Sequence, residues 1–278
     1  MSRPLTLGYS PCPNDTFIFH ALIHNCIPLP PGLTVREQLA DVETLNRLAL
    51  DGVLDLTKVS YHALGHLRSH YALLRSGGAL GRGCGPLVIA RQPTTMPQLR
   101  GRRIAIPGAL TTANLLLQLY GEGYDEVVSM PFDRIMPALR VGAAEAGVII
   151  HESRFTFQAQ GFHAVQDLGA WWEAETGLPI PLGGILARRD LGMATIRAID
   201  AAIRASLEHA RAHPHAARAY IRAHAQELDE AVIAEHIKLY VNDFSLDLGT
   251  EGVRAVETLL ARAETCGLIP PCALPLFV

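Results

Sequence analysis

The sequence predicts an α/β fold of two similarly built lobes, with a ligand cleft between them and two strands crossing from one lobe to the other. Three observations carry this. Apolar runs punctuated by glycine alternate with helical patterns along much of the chain, the signature of largely parallel sheets. The order helix, glycine, two residues, acid, strand occurs twice at identical spacing, from Glu43 to Ser60 through Gly52 and Asp55, and from Asp133 to Ile150 through Gly142 and Glu145. Finally, Gly85 to Arg91 and Pro181 to Arg188 share a glycine-rich start, an apolar strand and a basic exit, and they bracket the second unit.

Taken in order, Leu5 to Tyr9 reads as a strand and Phe17 to His24 as a helix. The loop between them, Ser10-Pro11-Cys12-Pro13-Asn14-Asp15-Thr16, is stiffened by two prolines, and Asn14, Asp15 or Thr16 is expected to cap the helix. Val42 to Leu50 reads as a helix and Leu54 to Ser60 as a strand. The second unit repeats the scheme: strand Arg103 to Ile106, helix Thr112 to Tyr120, helix Phe132 to Val141, strand Ala146 to Ile150. Its first loop, Pro107 to Asn114, carries Gly108 for a tight turn and Thr111 and Thr112 at the helix start. The C-terminal third is helical, with Ile196, Ile199, Ile203 and Leu207 on one face, Ile233 and Ile237 on a second helix, and Val253, Val256 and Leu260 on a third. If the chain crosses at both bracketing segments, residues 1–88 and 188–278 form one lobe and 89–187 an inserted second lobe.

Composition narrows the function. Its 24 Lys and Arg against 27 Asp and Glu include no basic block able to neutralise a run of phosphates, so nucleic acid is not an expected partner. No apolar run reaches membrane-spanning length, and the first residues lack the pattern of an export signal. Five scattered cysteines, without paired short spacings, fit a reduced cytoplasm and no disulfide framework. A small molecule bound in the cleft is the expected partner, and the sequence sets no oligomeric state.

The residues that carry chemistry cluster at strand ends, because ligands of open α/β sheets bind outside the carboxyl ends of the strands. Val148-Ile149-Ile150-His151-Glu152-Ser153-Arg154 breaks from apolar to ionisable within one step, which places the His151 imidazole there as a general base or acid. A structural strand-end histidine is the competing reading of that segment. Glu152 reads as a positioning residue, pairing with Arg154 or with neighbours to fix the turn. Lys58 and Ser60 end the strand that echoes this one, offering a cation and a hydroxyl. A zinc-protease reading fails because Phe155 stands where a second histidine is needed, and Gly81, Gly83 and Gly85 precede a strand where a dinucleotide fingerprint would follow one. Cys12 has no histidine at a telling sequence position. His209 and His213 are spaced for a metal, yet Pro214 interrupts the pattern and a solvated face is the simpler reading.

Four motifs, SPCPNDTFIF at Ser10 to Phe19, KVS at Lys58 to Ser60, the glycine run from Gly81 to Leu87, and IHESRFTF at Ile150 to Phe157, together resemble the 1,4-dihydroxy-6-naphthoate synthases of the futalosine route to menaquinone. The resemblance implies a two-lobed fold like that of type II periplasmic binding proteins, used for catalysis. It implies cyclic dehypoxanthine futalosine as substrate, cleaved to release the dihydroxynaphthoate nucleus, with no metal or organic cofactor. His151 would abstract a proton, and elimination and carbon–carbon cleavage would follow as a ring becomes aromatic. Lys58, Ser60, Leu110, Thr111, Thr112, Ser10 and Asn14 would then bind substrate, the threonines facing its carboxylate. The rival readings are the chorismate dehydratase of the same pathway and a non-catalytic solute-binding protein.

Overall fold

In the computed structural model, residues 3–121, 124, 126–225 and 229–278 are described. The first part runs β1 (Leu5–Tyr9), α1 (Pro13–Ile23), β2 (Val35–Leu39), α2 (Val42–Leu50), β3 (Leu56–Ser60), α3 (Tyr61–Leu67), β4 (Tyr71–Leu73) and β5 (Ala79–Gly81). The middle part follows with β6 (Leu87–Ala90), β7 (Arg103–Ile106), α4 (Thr112–Tyr120), β8 (Glu126–Ser129), α5 (Phe132–Arg140), β9 (Ala146–Ile149), α6 (Ser153–Thr156), β10 (His163–Asp167) and α7 (Leu168–Thr176). The chain ends with β11 (Ile180–Arg188), α8 (Met193–Ala212), α9 (Arg218–His224), α10 (Glu230–Tyr240), α11 (Asp243–Leu246) and α12 (Gly249–Thr265).

Two sheets result, one per lobe, and they have the same plan. The first has the order β2-β1-β3-β11-β4, with β5 also on β11; the second has the order β8-β7-β9-β6-β10. In each, three parallel strands are followed by an antiparallel neighbour, β11 or β6. The echo in the sequence is therefore a structural repeat. Its identical spacing has a local cause: Gly52 and Gly142 both end a helix in the left-handed region, at φ +67° and +75°, where a side chain would be strained. The acids that follow anchor the first strand of each unit, Asp55 accepting from Thr6 N at 2.9 Å and Glu145 from Arg103 N at 3.0 Å.

Two sequence expectations are corrected here. Helix α1 begins at Pro13, earlier than periodicity suggested, because proline is tolerated at the first helical position, and its N-cap is Cys12, whose side chain makes no cap bond. Asn14, Asp15 and Thr16 thus lie inside the helix. The second concerns the crossings. Segment β6 belongs wholly to the second sheet and β11 to the first, so the chain changes lobes beside them, in the short connection 82–86 and in the segment 168–179 that carries α7. Those crossings run side by side: Gly81 pairs with Ile180 before they part, and Leu87 with Asp167 after. A Cβ on Gly85 would lie 2.3 Å from the Gly169 Cα, so the two backbones touch where only glycine fits.

Packing follows the pattern read from the sequence. Ile196, Ile199, Ile203 and Leu207 of α8 are buried against α1, and Val256 and Leu260 of α12 join a core that continues from one lobe into the other. That shared core brings α4 onto α3, β11 and α12 and narrows the cleft to a cavity. Among the described residues no helix is long and apolar enough to cross a membrane.

Candidate active site

The cavity between the sheets encloses about 670 Å³, counting its open mouth. Ser10 and Asn14 from the β1–α1 turn, Lys58 and Ser60 from β3, Thr111 and Thr112 from the start of α4, and His151 from the end of β9 all line it. Leu110 does not; its backbone N–H donates to Glu43 at 3.2 Å and its carbonyl accepts from Asn46 at 3.4 Å, both across the lobe boundary. A smaller recess of about 360 Å³ adjoins, sharing Ser10, Val42 and His151 and reaching Cys12, Phe132 and Glu152.

His151 occupies the left-handed region at φ +55°, one of two non-glycine residues among those described to do so, the other being Asn25. Such a conformation is uncommon for any residue but glycine, although histidine, like asparagine, tolerates it better than most, and it points to a turn that the surroundings hold in place. Here buried β9 turns sharply into α6, with Arg154 N donating to His151 O at 3.2 Å and Phe155 N to Glu152 O at 2.9 Å. Phe132 meets the ring edge-on at 5.0 Å between centroids. Burial lowers the His151 pKa, against the opposing pull of Glu152 and Asp15, so the ring is neutral near pH 7 and able to accept a proton.

Opposite stands a charged pair from the first lobe. Lys58 Nζ donates to Asp15 Oδ1 at 2.6 Å with both side chains buried. The carboxylate is saturated further by Ser10 N at 3.1 Å, Ser10 Oγ at 2.7 Å and Asn14 Nδ2 at 2.8 Å. A buried ion pair tolerates desolvation only when its spare donors and acceptors are satisfied, and this one has that shell. Asp15 is the sole acceptor of Lys58 among the described residues, which leaves two ammonium hydrogens for a ligand. Ser60 is held by Asn46, which accepts from its N–H at 2.9 Å and donates to its Oγ at 3.3 Å, leaving the hydroxyl hydrogen free to donate.

The threonines behave differently from expectation. Thr111 Oγ1 donates to Gly108 O at 2.7 Å and accepts from Asn114 N at 3.3 Å, so it caps α4. Thr112 Oγ1 accepts from Tyr61 N at 2.9 Å and donates to Leu182 O at 2.6 Å, bolting the second lobe to the first. Both hydroxyls are committed to protein partners. What α4 offers the cavity is its first-turn N–H groups, on Thr112 and Ala113. Gly108 sits at φ +153°, where an L side chain is strained, and a Cβ there would also meet the Glu43 side chain at 2.5 Å.

One site residue escaped the sequence. His236 of α10 is buried, its Nε2 3.0 Å from Asn14 Oδ1 and its ring nearly parallel to that of His151, at 11° and 6.2 Å. Burial, with help from His151 and Lys58, pushes its pKa down to about 3, so this ring is neutral too. Its signal was present but ambiguous: Ile233, His236 and Tyr240 share one buried helical face. Arg154 does not pair with Glu152; it donates to Gly85 O and, at 2.7 Å, to Asp167, clasping both crossings. Cys12, His151 and Glu152 bring ligand-type atoms within 4.8 Å of one another. Burial, followed by the nearby Glu152, raises the Cys12 thiol pKa well above its ordinary range, which disfavours the thiolate a metal or a nucleophilic role would need. His209 and His213 lie with ring centroids 4.6 Å apart and planes tilted by 54°, without a further ligand, and no other metal-type cluster occurs among the described residues.

A family model described as menaquinone biosynthesis matches residues 5–265. A Thermus thermophilus protein named 1,4-dihydroxy-6-naphthoate synthase is 57% identical over 274 residues, covering 99% of each chain. A Streptomyces coelicolor protein of the same name is 49% identical over 271 residues, covering 96% of this chain and 95% of its own. Among solved structures, one from Archaeoglobus fulgidus superposes with a TM-score of 0.90 at 35% identity, covering 96% of this chain and 98% of that one. The alkanesulfonate-binding protein of Xanthomonas axonopodis superposes at 0.67 with 15% identity, covering 98% and 96%, a likeness of fold alone.

Proposed function

The chain belongs to the menaquinone biosynthesis family, and from that premise we propose that it is a lyase forming 1,4-dihydroxy-6-naphthoate from cyclic dehypoxanthine futalosine. The relatives bear the synthase name over nearly their whole length, which favours neither a chorismate dehydratase nor a transporter component. The observation that carries the mechanism is His151: neutral, held at φ +55° on a strand end, and lining the cavity opposite Lys58. It takes a proton from substrate carbon as general base. The electrons released flow into a ring that becomes aromatic, and this drives elimination and carbon–carbon cleavage. The free ammonium hydrogens of Lys58 and the hydroxyl of Ser60 stabilise oxygen charge as it develops. The open N–H groups of Thr112 and Ala113 suit the substrate carboxylate. Closure of the lobes excludes water. A cytoplasmic setting suits the five free cysteines.

Incubation with cyclic dehypoxanthine futalosine tests the reading. Appearance of the naphthoate chromophore at catalytic protein concentration is the expected result. Tight binding without turnover would overturn it in favour of a binding protein.

A further inference from the structure

The contact between Glu152 and His236 lacks a hydrogen. Asn14 Nδ2 donates to the Asp15 carboxylate, so its Oδ1 faces His236 as acceptor and the His236 Nε2 must carry the ring proton. The neutral ring therefore presents a bare Nδ1 on its other side. That Nδ1 lies 3.9 Å from Glu152 Oε2, and both atoms are buried without a hydrogen-bond partner. Two acceptors facing each other away from water are unfavourable unless a donor comes between them. The two residues also belong to different lobes, Glu152 following β9 and His236 on α10. Separation of the lobes would return each to water; closure brings them together.

We propose that Glu152 and His236 form a proton-dependent latch across the cleft. One proton from solvent binds Glu152 Oε2 as the lobes close, so that the carboxyl donates to the bare Nδ1 of the neutral His236 ring, and it returns to solvent as they open. No other bond changes and the charge of the pair rises by one. The groups facing it are fixed: Asn14 at Nε2, the His151 ring at 6.2 Å, the Tyr240 ring at 4.7 Å, the Lys58–Asp15 pair behind Asn14, and Cys12 beside Glu152. Glu152 is thus a positioning residue that sets how readily the site closes, and its kinetic test rests on the proposed reaction.

Linkage gives the readout. If closure binds one proton, KM rises above the titration of the pair towards about tenfold per pH unit. Glu152→Gln places an amide donor where the proton would be. We expect its KM to stay within about threefold of the low-pH wild-type value and to be flat with pH. Glu152→Ala, with no donor, should raise KM about tenfold or more at every pH. Parallel KM profiles in wild type and Glu152→Gln, or a Glu152→Gln as weak as Glu152→Ala, would overturn the latch. Failure of the wild type to turn over substrate would instead overturn the proposed function. The latch is then read from 15N-histidine NMR of the ligand-free protein: Nδ1 of His236 should be hydrogen-bonded in wild type and bare in Glu152→Ala. Identical shifts in both across the pH range would overturn it.

Discussion

Strands β3 and β9 hold the same place in two units of the same plan, yet they end differently. At β3, Ser60 keeps extended backbone, φ −70° and ψ 148°, and passes directly into α3. At β9 the chain turns through His151 at φ +55° before α6 begins. Below these tips the units match in detail, down to the helix-ending glycines and the acids that hold the first strand of each. A repeated scaffold thus delivers two strand ends to one cavity. The regular end supplies fixed charge through Lys58 and Asp15, and the strained end supplies the base.

The comparison breaks most severely if the strained tip loses its base. His151→Asn keeps a residue that tolerates the left-handed region, so folding should persist while kcat falls by about 10²–10⁴-fold. Near-normal turnover would move the chemistry elsewhere. At the other tip, Lys58→Met leaves the Asp15 carboxylate buried and unpaired, and should cost about 3–5 kcal/mol in denaturant unfolding. Removing the exposed Arg82 partner of Glu251 should cost under about 1 kcal/mol in the same measurement.

Acid sharpens the contrast further. Burial lowers the pKa values of His62, on α3 after the regular tip, and of His151 at the strained one. Each refuses a proton that the unfolded chain accepts, so stability is full above pH about 6.5 and falls below it by up to about 1.4 kcal/mol per unit for each group. The acid limb of kcat/KM should correspondingly lie below about pH 6.5. Thermal unfolding that is flat from pH 7 to pH 5 would contradict the burial of these rings. A last test concerns the crossings: Gly85→Ala forces a Cβ against the Gly169 backbone and should cost about 1–3 kcal/mol, read by thermal unfolding.

What the sequence revealed follows from where apolar burial is strongest. Central strands β1, β3, β7 and β9 are legible because they are mostly buried. Edge strands β2 and β8, reading VREQL and EVVS, have no fully buried position and carry little apolar pattern. The same limit governs the site. Strand-end residues such as His151, Lys58 and Ser60 stand out where an apolar run meets polar residues. His236 reaches the site from the C-terminal helices, across a contact that no local spacing encodes, and it lies on a helical face that otherwise reads as core. The threonine hydroxyls illustrate the converse: a sequence shows which donors exist, and only the fold shows which are already spent on Gly108 and Leu182.

The adjacency of the two crossings bears on how such a chain could be cut and rebuilt. Gly81 and Ile180 are cross-strand partners, a separation of about 4.5–5.5 Å that a two-residue hairpin turn spans. The segment they bracket is therefore a cassette that departs and returns through one doorway. A graft of a different second lobe at that doorway would leave the host sheet unbroken, and the transplanted piece would bring its own strand tip to meet Lys58.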